Sequence, residues 1–507
     1  MTQGILPYKY EEENKPAGMT SLAGLPLYLD LAFALGLPGS IERHLNLRPS
    51  QGWTDAQMVL SLVLLALAGG DCVDDLKVLE ADEGFCRILE HIDPKDASRW
   101  RTTTSRTIPS PSSVFRYLAA FRTEDVSVQG TASVPQSAAL TGFGRINQDL
   151  AAAVQRQTPS SIATLDIDAT LVETQKRDAL FCYEGYRAYQ PLNVYWAEQE
   201  LIVHTEFRDG NVPANYDLLR VVRETLDALP GDVTKVRLRA DAAGYAHDLL
   251  VYCDRGGDTR FGRIEFAISA PVTEAFRAEV RTVADAAWTA LGTNKQWAEV
   301  CFVPNELARS KKGEPYRYLA IREPLRQPVL PGMELPFPTL DHEGTQYKLH
   351  ALVSNMDWAG ERLIPFAYER CGKSEEAHAV LKEDLAGGKL PSGSFGENGA
   401  WWWITVLACN LNMAMKKLVL KGPWVAKRMK AIRFSLISLP GRIIEHARQL
   451  VIRLVRNHPS FALLVAARQR IKGDSYRRRQ ETDEAGSQNA QSTTLSTTGR
   501  GAPKNSP

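Results

Sequence analysis

Two aspartates alternate with large apolar residues in the segment ATLDIDATLV, which covers residues 163–172. This alternation predicts a β-strand on which Asp166 and Asp168 face the same side. Two carboxylates side by side on an apolar strand repel each other and lose hydration, so the fold has to supply a compensating charge. A divalent cation bound among acidic side chains is one such charge, and it would make this strand part of a reactive site.

Two other places carry acids in positions suited to metal binding. Asp241 ends the predicted strand KVRLRAD, residues 235–241, at the edge of an α/β sheet where such sheets bind ligands. Its alternative role is capping of the following helix. Glu375 and Glu376 open a predicted helix, where their alternative role is compensation of the helix dipole.

Together these acids predict a carboxylate cluster that binds Mg²⁺ or Mn²⁺. Magnesium prefers carboxylate, water and phosphate oxygens as ligands. Two such ions roughly 3.5–4 Å apart can activate the attacking oxygen and stabilise the leaving oxygen of a phosphoryl transfer. Zinc is disfavoured because the acids are not accompanied by a His and Cys ligand cluster.

The overall composition restricts the class of protein. The 507 residues predict about three domains, and 44% apolar with 23% charged residues is typical of a soluble globular protein. A net charge of +1 gives no global field that would identify a nucleic-acid-binding protein. Seven scattered cysteines argue against a disulfide framework, and no signal peptide or membrane-spanning run is predicted. We therefore expect a cytoplasmic protein with no membrane contact.

The order of predicted elements divides the chain into successive regions. Residues 1–150 are predicted to be helical, which fits either a helix-turn-helix DNA-binding module or an ordinary helical bundle. Antiparallel strands followed by strand–helix alternation predict an α/β core with a mixed sheet in two parts, residues 151–269 and 346–415. Between them, residues 270–345 combine short strands with Pro- and Gly-rich connections and predict a β-rich insertion.

The C-terminal residues 416–472 are strongly basic. Fourteen Lys and Arg residues accompany one acid, Glu445, between Lys416 and Lys472, and interleaved apolar residues predict a folded basic helical region. Phosphate binding is the favoured function of this region, and a solvated charged face is the alternative. The predicted DNA contacts are Lys427, Arg428, Lys430 and Arg433. Residues 473–507 contain almost no large apolar residues and predict a disordered tail.

The order of antiparallel strands, two Asp strands, β-rich insertion and Glu helix resembles the RNase H-like core of DDE transposases from bacterial insertion sequences. It resembles most closely the branch catalogued as thirteen-eighty, whose core is interrupted by a β insertion. That branch has a signature of Tyr, two residues, Arg, three residues, Glu, six residues and Lys. Tyr368, Glu375 and Lys382 have this spacing, but Cys371 stands at the Arg position, with Arg370 one residue earlier.

The resemblance implies a set of site residues. LDIDAT resembles the first-Asp strand of the family, in which Thr closely follows the catalytic Asp, so Asp168 is expected to bind metal and Asp166 to support it. RADAAGY resembles the second-Asp strand, and the signature spacing selects Glu375 over Glu376. The expected ligands of two Mg²⁺ or Mn²⁺ ions are therefore Asp168, Asp241 and Glu375. The expected DNA contacts near the site are Tyr368, Arg370, Lys373, Lys382 and, more weakly, Trp297, for which core packing is the stronger alternative.

The resemblance also implies an activity. The enzyme would bind the terminal inverted repeats of its own mobile element, cut the DNA ends by metal-assisted water attack and join the freed 3′-hydroxyl to target DNA. A homodimer in a synaptic complex is expected, associated with the nucleoid, and His247 and His378 have no role in this mechanism. The alternatives are a transposase-derived DNA-binding protein that no longer cuts, an RNase H-like nuclease or resolvase and, least favoured, a glycosidase-like acid pair.

Overall fold

The computed structural model of the chain describes residues 18–47, 52–92, 106–122, 136–304, 316–326, 335–447 and 449–473. The disordered tail predicted for residues 473–507 lies outside these ranges from residue 474 onward. The first 17 residues of the predicted helical N-terminal region also lie outside them.

Helices make up most of the described parts of residues 1–150, which also contain the two-residue strand Met19–Thr20. The helices are Pro26–Ala34, Leu37–His44, Asp55–Ala68, Leu76–Ala81, Glu83–Ile92, Pro111–Leu118 and Ala138–Gln157. Asp55–Ala68 begins at a capping box in which the Thr54 and Gln57 side chains each accept from the other residue's backbone N–H. It ends at Gly69, whose φ of +105° is a backbone conformation that favours glycine.

The strands of the described residues are β1 Met19–Thr20, β2 Ile162–Ala169, β3 Val172–Glu173, β4 Leu180–Phe181, β5 Arg187–Tyr189, β6 Leu192–Trp196, β7 Leu201–Glu206, β8 Lys235–Ala240, β9 Glu265–Ala270, β10 Thr289–Leu291, β11 Lys295–Val300, β12 Arg317–Pro324, β13 Thr339–His342, β14 Thr345–Ser354, β15 Gly441–His446 and β16 Gln449–Arg453. The remaining α-helices are Leu218–Ala228, His247–Asp254, Glu274–Arg281, Gly360–Tyr368, Arg370–Ala379, Phe395–Ala414, Met429–Ile432 and 461–473.

One large mixed sheet organises the α/β part of the molecule. Its strand order is β10-β11-β12-β14-β9-β8-β2-β6-β7, and β13 also pairs with β14. The pairs β2–β8 and β8–β9 are parallel, and the other pairs of this sheet are antiparallel. The predicted mixed α/β fold is therefore confirmed. Helices Gly360–Tyr368 and Arg370–Ala379 pack on β9 and β2 respectively.

The predicted β-rich insertion is part of this same sheet. Strands β10 to β13 lie within residues 270–345, together with the helix Glu274–Arg281. The ten-residue strand β14 joins them to the core, because residues 347–354 pair with β12 and the last four of these also pair with β9. The segment therefore extends the sheet instead of forming a separate one.

Helical structure predicted for the whole basic C-terminal region is wrong over residues 441–446 and 449–453. There β15 and β16 form a hairpin whose first strand also pairs with β1. Ile443 lies opposite Ile452 and Ile444 lies opposite Val451, and β-branched side chains of this kind favour strands. The count of basic residues predicted a charged surface but carries no information about the backbone period.

The predicted region boundaries do not separate independent cores. Positions 150, 269 and 415 fall within Ala138–Gln157, β9 and the continuous helical run Phe395–Leu420. Phe395–Ala414 packs against both Ala138–Gln157 and Asp55–Ala68, so the N-terminal helices and the sheet share one apolar core. Within the described ranges Phe395–Leu420 is long and apolar enough to cross a membrane, but 89% of its apolar window is buried inside the protein, as in a core helix.

Candidate active site

The parallel strands β2 and β8 bring two of the predicted metal ligands to one edge of the sheet. Ile167 on β2 is in register with Ala240 on β8, so Asp168 and Asp241 follow at neighbouring positions. Both residues line one open cavity of about 430 Å³. The carboxyl ends of parallel strands are the usual location of ligand sites in such sheets, as the sequence predicted for Asp241.

The Asp241 side chain also makes the capping contact that was its alternative role. Its Oδ1 accepts a hydrogen bond of 3.0 Å from the backbone N–H of Ala243 and closes the turn Ala242–Gly244. Burial raises the pKa of the Asp241 carboxyl above its ordinary value, while the Arg370 guanidinium lowers it and the Asp168 charge raises it. One side chain can hold the turn with one oxygen and still present the other to the cavity.

Arg370 places a positive charge beside Asp168. Its Nη1 lies 3.2 Å from Asp168 Oδ2, and both side chains are largely buried. His378 Nδ1 lies 3.9 Å from the same oxygen. Burial lowers the pKa of His378 to about 4, with the Lys382 and Arg370 charges acting in the same direction, so the imidazole is neutral near pH 7. Arg370 therefore supplies the positive charge beside Asp168.

Asp166 is compensated by a different arginine. Arg239 on β8 donates to both carboxylate oxygens, from Nε at 2.6 Å and from Nη2 at 2.9 Å. Asp166 is fully buried and Arg239 is 1% exposed. Burial raises the pKa of Asp166, and the hydrogen bonds and charge of Arg239 oppose that change. Both carboxylate oxygens of Asp166 are therefore already hydrogen-bonded to Arg239. The predicted role of Asp166 in supporting a metal ion stays a prediction, and these contacts do not favour it.

Arg239 connects this buried pair to the helix that precedes the Glu segment. Its Nη1 donates to the Phe366 carbonyl at 2.7 Å and approaches Glu369 Oε2 at 3.3 Å. The guanidinium also lies 4.8 Å from the centre of the Phe366 ring. Asp166 thus orients the arginine that fixes the end of Gly360–Tyr368 against the sheet.

Glu375 lies in the helix Arg370–Ala379, which packs on β2. The helix Arg370–Ala379 is kinked at Cys371 and Gly372, after which it runs regularly. His378, one turn after Glu375, reaches Asp168, and Lys382 Nζ donates to the Leu171 carbonyl at 3.3 Å. Glu375 and Glu376 are both exposed. The oxygens of Glu375, Asp168 and Asp241 do not all lie within 4.8 Å of one another, so the predicted trio is not assembled as one group of ligand atoms.

The predicted DNA contacts around the Glu segment differ in exposure. Lys373 is exposed, whereas Tyr368 is partly buried beside His350, at 5.5 Å between ring centres, and under Lys295, at 5.4 Å. Burial raises the pKa of Tyr368 to about 12, so its hydroxyl stays protonated and can donate. Their contacts with DNA stay predictions.

Trp297 on β11 packs within the protein. The face of its indole lies against Gly360 so closely that a Cβ at Gly360 would be 2.6 Å from the ring. The ring belongs to a small apolar cluster with Leu319 and Leu363. This arrangement fits the core-packing alternative better than a contact with DNA.

The basic C-terminal candidates fall into two groups. Lys427, Arg428 and Lys430 are exposed, and Arg428 makes a 3.2 Å ion pair with Asp384. Arg433 instead donates to backbone carbonyls at the end of Asp55–Ala68, including that of Leu67 at 2.9 Å. Its guanidinium is therefore already used to hold that helix end, whereas the side chains of the first three are exposed at the surface.

Three residues of the site had no role in the sequence-based prediction. His378 contacts Asp168, and Tyr183 and Gln190 line the cavity. The one local signal was the three-residue spacing of His378 from Glu375, which places both on one helix face. The position of the other two depends on pairing between distant strands, which no local pattern reports.

Another acidic group has a structural explanation. Asp71, Cys72 and Asp75 form the one trio of possible metal ligands in the described ranges whose ligand atoms all lie within 4.8 Å. The Asp75 carboxylate accepts from the backbone N–H groups of Asp71 and Cys72, and the Lys389 ammonium bonds the Asp71 carboxylate. These contacts cap a short turn and neutralise part of the charge, so the trio does not require a metal.

A buried acid behind the cavity makes the stability of the protein depend on pH. Asp209 is 8% exposed, and burial raises its pKa from 3.8 to about 7, although the Leu180 backbone N–H donates to it. A raised folded-state pKa means that the protonated acid stabilises the fold at low pH and that this contribution is lost as the pH rises through 7. Asp209→Asn, which keeps the acceptor, should therefore stabilise the protein at pH 8 by on the order of 2–4 kcal/mol.

The measurement is the urea midpoint of Asp209→Asn and wild type at pH 5 and pH 8. The stabilisation should be clearly smaller at pH 5. The exposed neighbour Asp178, whose charge contributes to the raised pKa of Asp209, provides the control variant Asp178→Asn, for which we expect a much smaller change. Equal stabilisation by Asp209→Asn at both pH values would contradict this assignment.

The ends of β2 and β8, with their acidic and basic neighbours, indicate what kind of reaction the site can support. Carboxylates from adjacent parallel strands meet at a cavity beside an arginine and a lysine, an arrangement suited to a metal-dependent reaction at phosphate. A sequence model of the family described as Transposase DDE domain group 1 matches residues 12–475. The chain belongs to this family of DDE transposases, a class of enzymes that cut and transfer DNA with divalent metal ions.

The comparison with solved structures adds a distant similarity. The cryo-EM structure of a piggyBac transposase synaptic complex with hairpin DNA is 11% identical in sequence, with a TM-score of 0.46, over 80% of this chain and 78% of that chain. No role of an individual residue is transferred at this level of similarity. No curated protein shows significant sequence similarity to the chain.

Proposed function

We propose that the protein is the transposase of a bacterial insertion sequence of the thirteen-eighty branch. It would bind the terminal inverted repeats of its element, cleave the DNA ends and join them to target DNA. The observation that carries this proposal is the meeting of Asp168 and Asp241 at one cavity, next to the helix that bears Glu375. The family signature supports it. Cys371, which departs from that signature, is exposed, and the neighbouring Arg370 pairs with Asp168.

The topology supports an RNase H-like core within the larger sheet. The strands β7-β6-β2-β8-β9 form a five-stranded mixed unit in which the central β2 has an antiparallel neighbour and a parallel one. In this proposal the segment between β9 and β14 is the insertion of the branch. The proposed catalytic aspartates Asp168 and Asp241 lie at the carboxyl ends of the neighbouring strands β2 and β8.

The donor set fits Mg²⁺ or Mn²⁺, and we propose two ions. Asp168, Asp241 and Glu375 offer carboxylate oxygens, which these hard cations prefer, and Glu375 is exposed to solvent. Bound ions would supply Lewis-acid activation of the attacking oxygen and stabilisation of the leaving oxygen. Arg370 and Lys382 provide fixed positive charge for a phosphate group at the same edge.

The proposed partner is DNA, bound by a homodimer in a synaptic complex at the nucleoid in the cytoplasm. The exposed residues Lys427, Arg428 and Lys430 form one basic surface, and the proposal assigns it to phosphates away from the scissile bond. Tyr368 and Lys373 would contact phosphates close to it.

The test uses the purified full-length chain and duplex DNA that ends in the inverted repeat flanking its gene. With Mg²⁺ we expect cleavage at the repeat end and joined products in the presence of target DNA, and neither product in EDTA. Binding to the repeat without cleavage in Mg²⁺ or Mn²⁺ would favour the silent DNA-binding protein. Cleavage without preference for the repeat, and without joined products, would favour the nuclease.

A further inference from the structure

A small β-hairpin places an exposed aromatic side chain at the wall of the cavity that contains Asp168 and Asp241. Strands β4 and β5 pair, and a turn with Gly185 at φ +84° connects them. Tyr183 in this turn is 78% exposed and lines the cavity. A large aromatic ring left in solvent beside a reactive edge is a candidate contact for a ligand.

The hairpin is held firmly against the main sheet. Tyr189 on β5 pairs with Asp209 beyond the end of β7, and the Gln190 backbone N–H donates to the Arg208 carbonyl at 2.8 Å. Gly210 lies directly against the hairpin backbone, because a Cβ there would be 2.4 Å from the Ala188 carbonyl oxygen. The position of Tyr183 therefore depends on a supported element rather than on a free loop.

Gln190 provides a polar group in the same cavity. The residue is 5% exposed, and its Oε1 is buried with no hydrogen-bond partner among the described residues. A buried amide oxygen without a partner costs roughly 1–3 kcal/mol, so its retention points to a hydrogen-bond donor outside the protein chain. The oxygen and nitrogen of the amide are interchangeable in position, so the group can accept or donate.

We propose that this cavity binds the nucleotide next to the scissile phosphate, with its base stacked on Tyr183 and a polar edge hydrogen-bonded to Gln190. This rests on the proposed function, because Asp168 and Asp241 then define where the phosphate lies. The cavity volume of about 430 Å³ falls within the range of sites for small organic groups, roughly 300–1,000 Å³. Stacking of a base on an aromatic ring tolerates any base, so the contact positions the strand without reading its sequence.

The test combines a protein variant with an altered substrate. Tyr183→Ala is expected to reduce cleavage about tenfold, and Tyr183→Phe to keep it near wild type, because stacking needs the ring and not the hydroxyl. Removing the base at the proposed nucleotide should reduce wild-type cleavage by a similar factor. The same abasic substrate should cause no further loss in Tyr183→Ala, because the contact is already absent.

Phe181 provides the matched control. It is 59% exposed on the same hairpin but packs against Arg187, 4.9 Å from its ring centre, and does not line the cavity. Phe181→Ala should therefore keep both wild-type cleavage and its sensitivity to the abasic substrate. Gln190→Met, which fills the same volume without the amide, should lower cleavage without lowering the melting temperature.

Binding without chemistry separates this proposal from the proposed function. With 2-aminopurine at the same nucleotide and EDTA present, wild type and Phe181→Ala should quench the fluorescence by stacking, and Tyr183→Ala should not. A wild-type protein that quenches but never cleaves would overturn the enzymatic proposal and keep the stacking site. Two results would overturn the proposed stacking site. One is equal fluorescence quenching by Tyr183→Ala and wild type, and the other is a further tenfold loss of cleavage by Tyr183→Ala on the abasic substrate.

Discussion

Asp168→Asn is expected to reduce DNA cleavage by at least about a thousandfold while DNA binding stays within about twofold of wild type. Asparagine has nearly the same shape but lacks the charge that holds a divalent ion, and metal stabilisation of a phosphoryl-transfer transition state is worth several kcal/mol. Asp241→Asn and Glu375→Gln should have the same effect, since the proposal gives all three carboxylates the same role. The measurement is single-turnover cleavage of repeat-end DNA, together with a gel-shift titration in EDTA.

Glu376→Gln is the matched control for this series. Glu376 is also exposed and adjoins Glu375, but it stands two residues before His378, a spacing that does not share the helix face on which His378 contacts Asp168. We expect near wild-type cleavage from this variant. If Glu376→Gln lost activity and Glu375→Gln kept it, Glu376 and not Glu375 would be the metal ligand. Titration of the variants with Mn²⁺ would then show weakened metal dependence in Glu376→Gln.

The second large effect concerns folding. Arg239→Met should destabilise the protein by about 3–5 kcal/mol, because Asp166 would be left fully buried without its two hydrogen bonds and its counter-charge. Lys235→Met on the same strand is the control, since Lys235 is half-exposed in its pair with Glu265 and should cost less than about 1 kcal/mol. Urea midpoints of the three proteins measure the difference.

A double variant separates the ion pair from catalysis. Asp166→Leu with Arg239→Met removes both charges together and should recover most of the lost stability, as replacement of a buried pair by apolar side chains often does. If the refolded double variant cleaved DNA, Asp166 would be excluded as a necessary metal ligand. A double variant as unstable as Arg239→Met alone would show that the damage comes from lost packing and not from the unpaired charge.

Local patterns predicted the strands that carry the candidate aspartates. Alternation of polar and apolar residues predicted β2 and the shared face of Asp166 and Asp168. Strand KVRLRAD was predicted with Asp241 at its end, where the structure places it. These predictions succeed because side-chain alternation and turn residues act over a few positions.

Other features depended on contacts between distant parts of the chain. The strands of residues 270–345 were recognised, but their addition to the core sheet depends on the length of β14. The hairpin of β15 and β16 was not predicted, because its basic residues indicate a charged surface and not a strand. Its pairing with β1 involves the opposite end of the chain.

The sequence by itself determined which acids are available and on which local elements they lie, because those depend on residue type and backbone period. Only the tertiary structure decided how their charges are balanced. Parallel pairing of β2 with β8 places Arg239 against Asp166, and packing of the helix Arg370–Ala379 on β2 places Arg370 against Asp168. Compensation of a buried charge is a matter of distances of a few ångströms, and those distances exist only once strands and helices far apart in the chain have packed together.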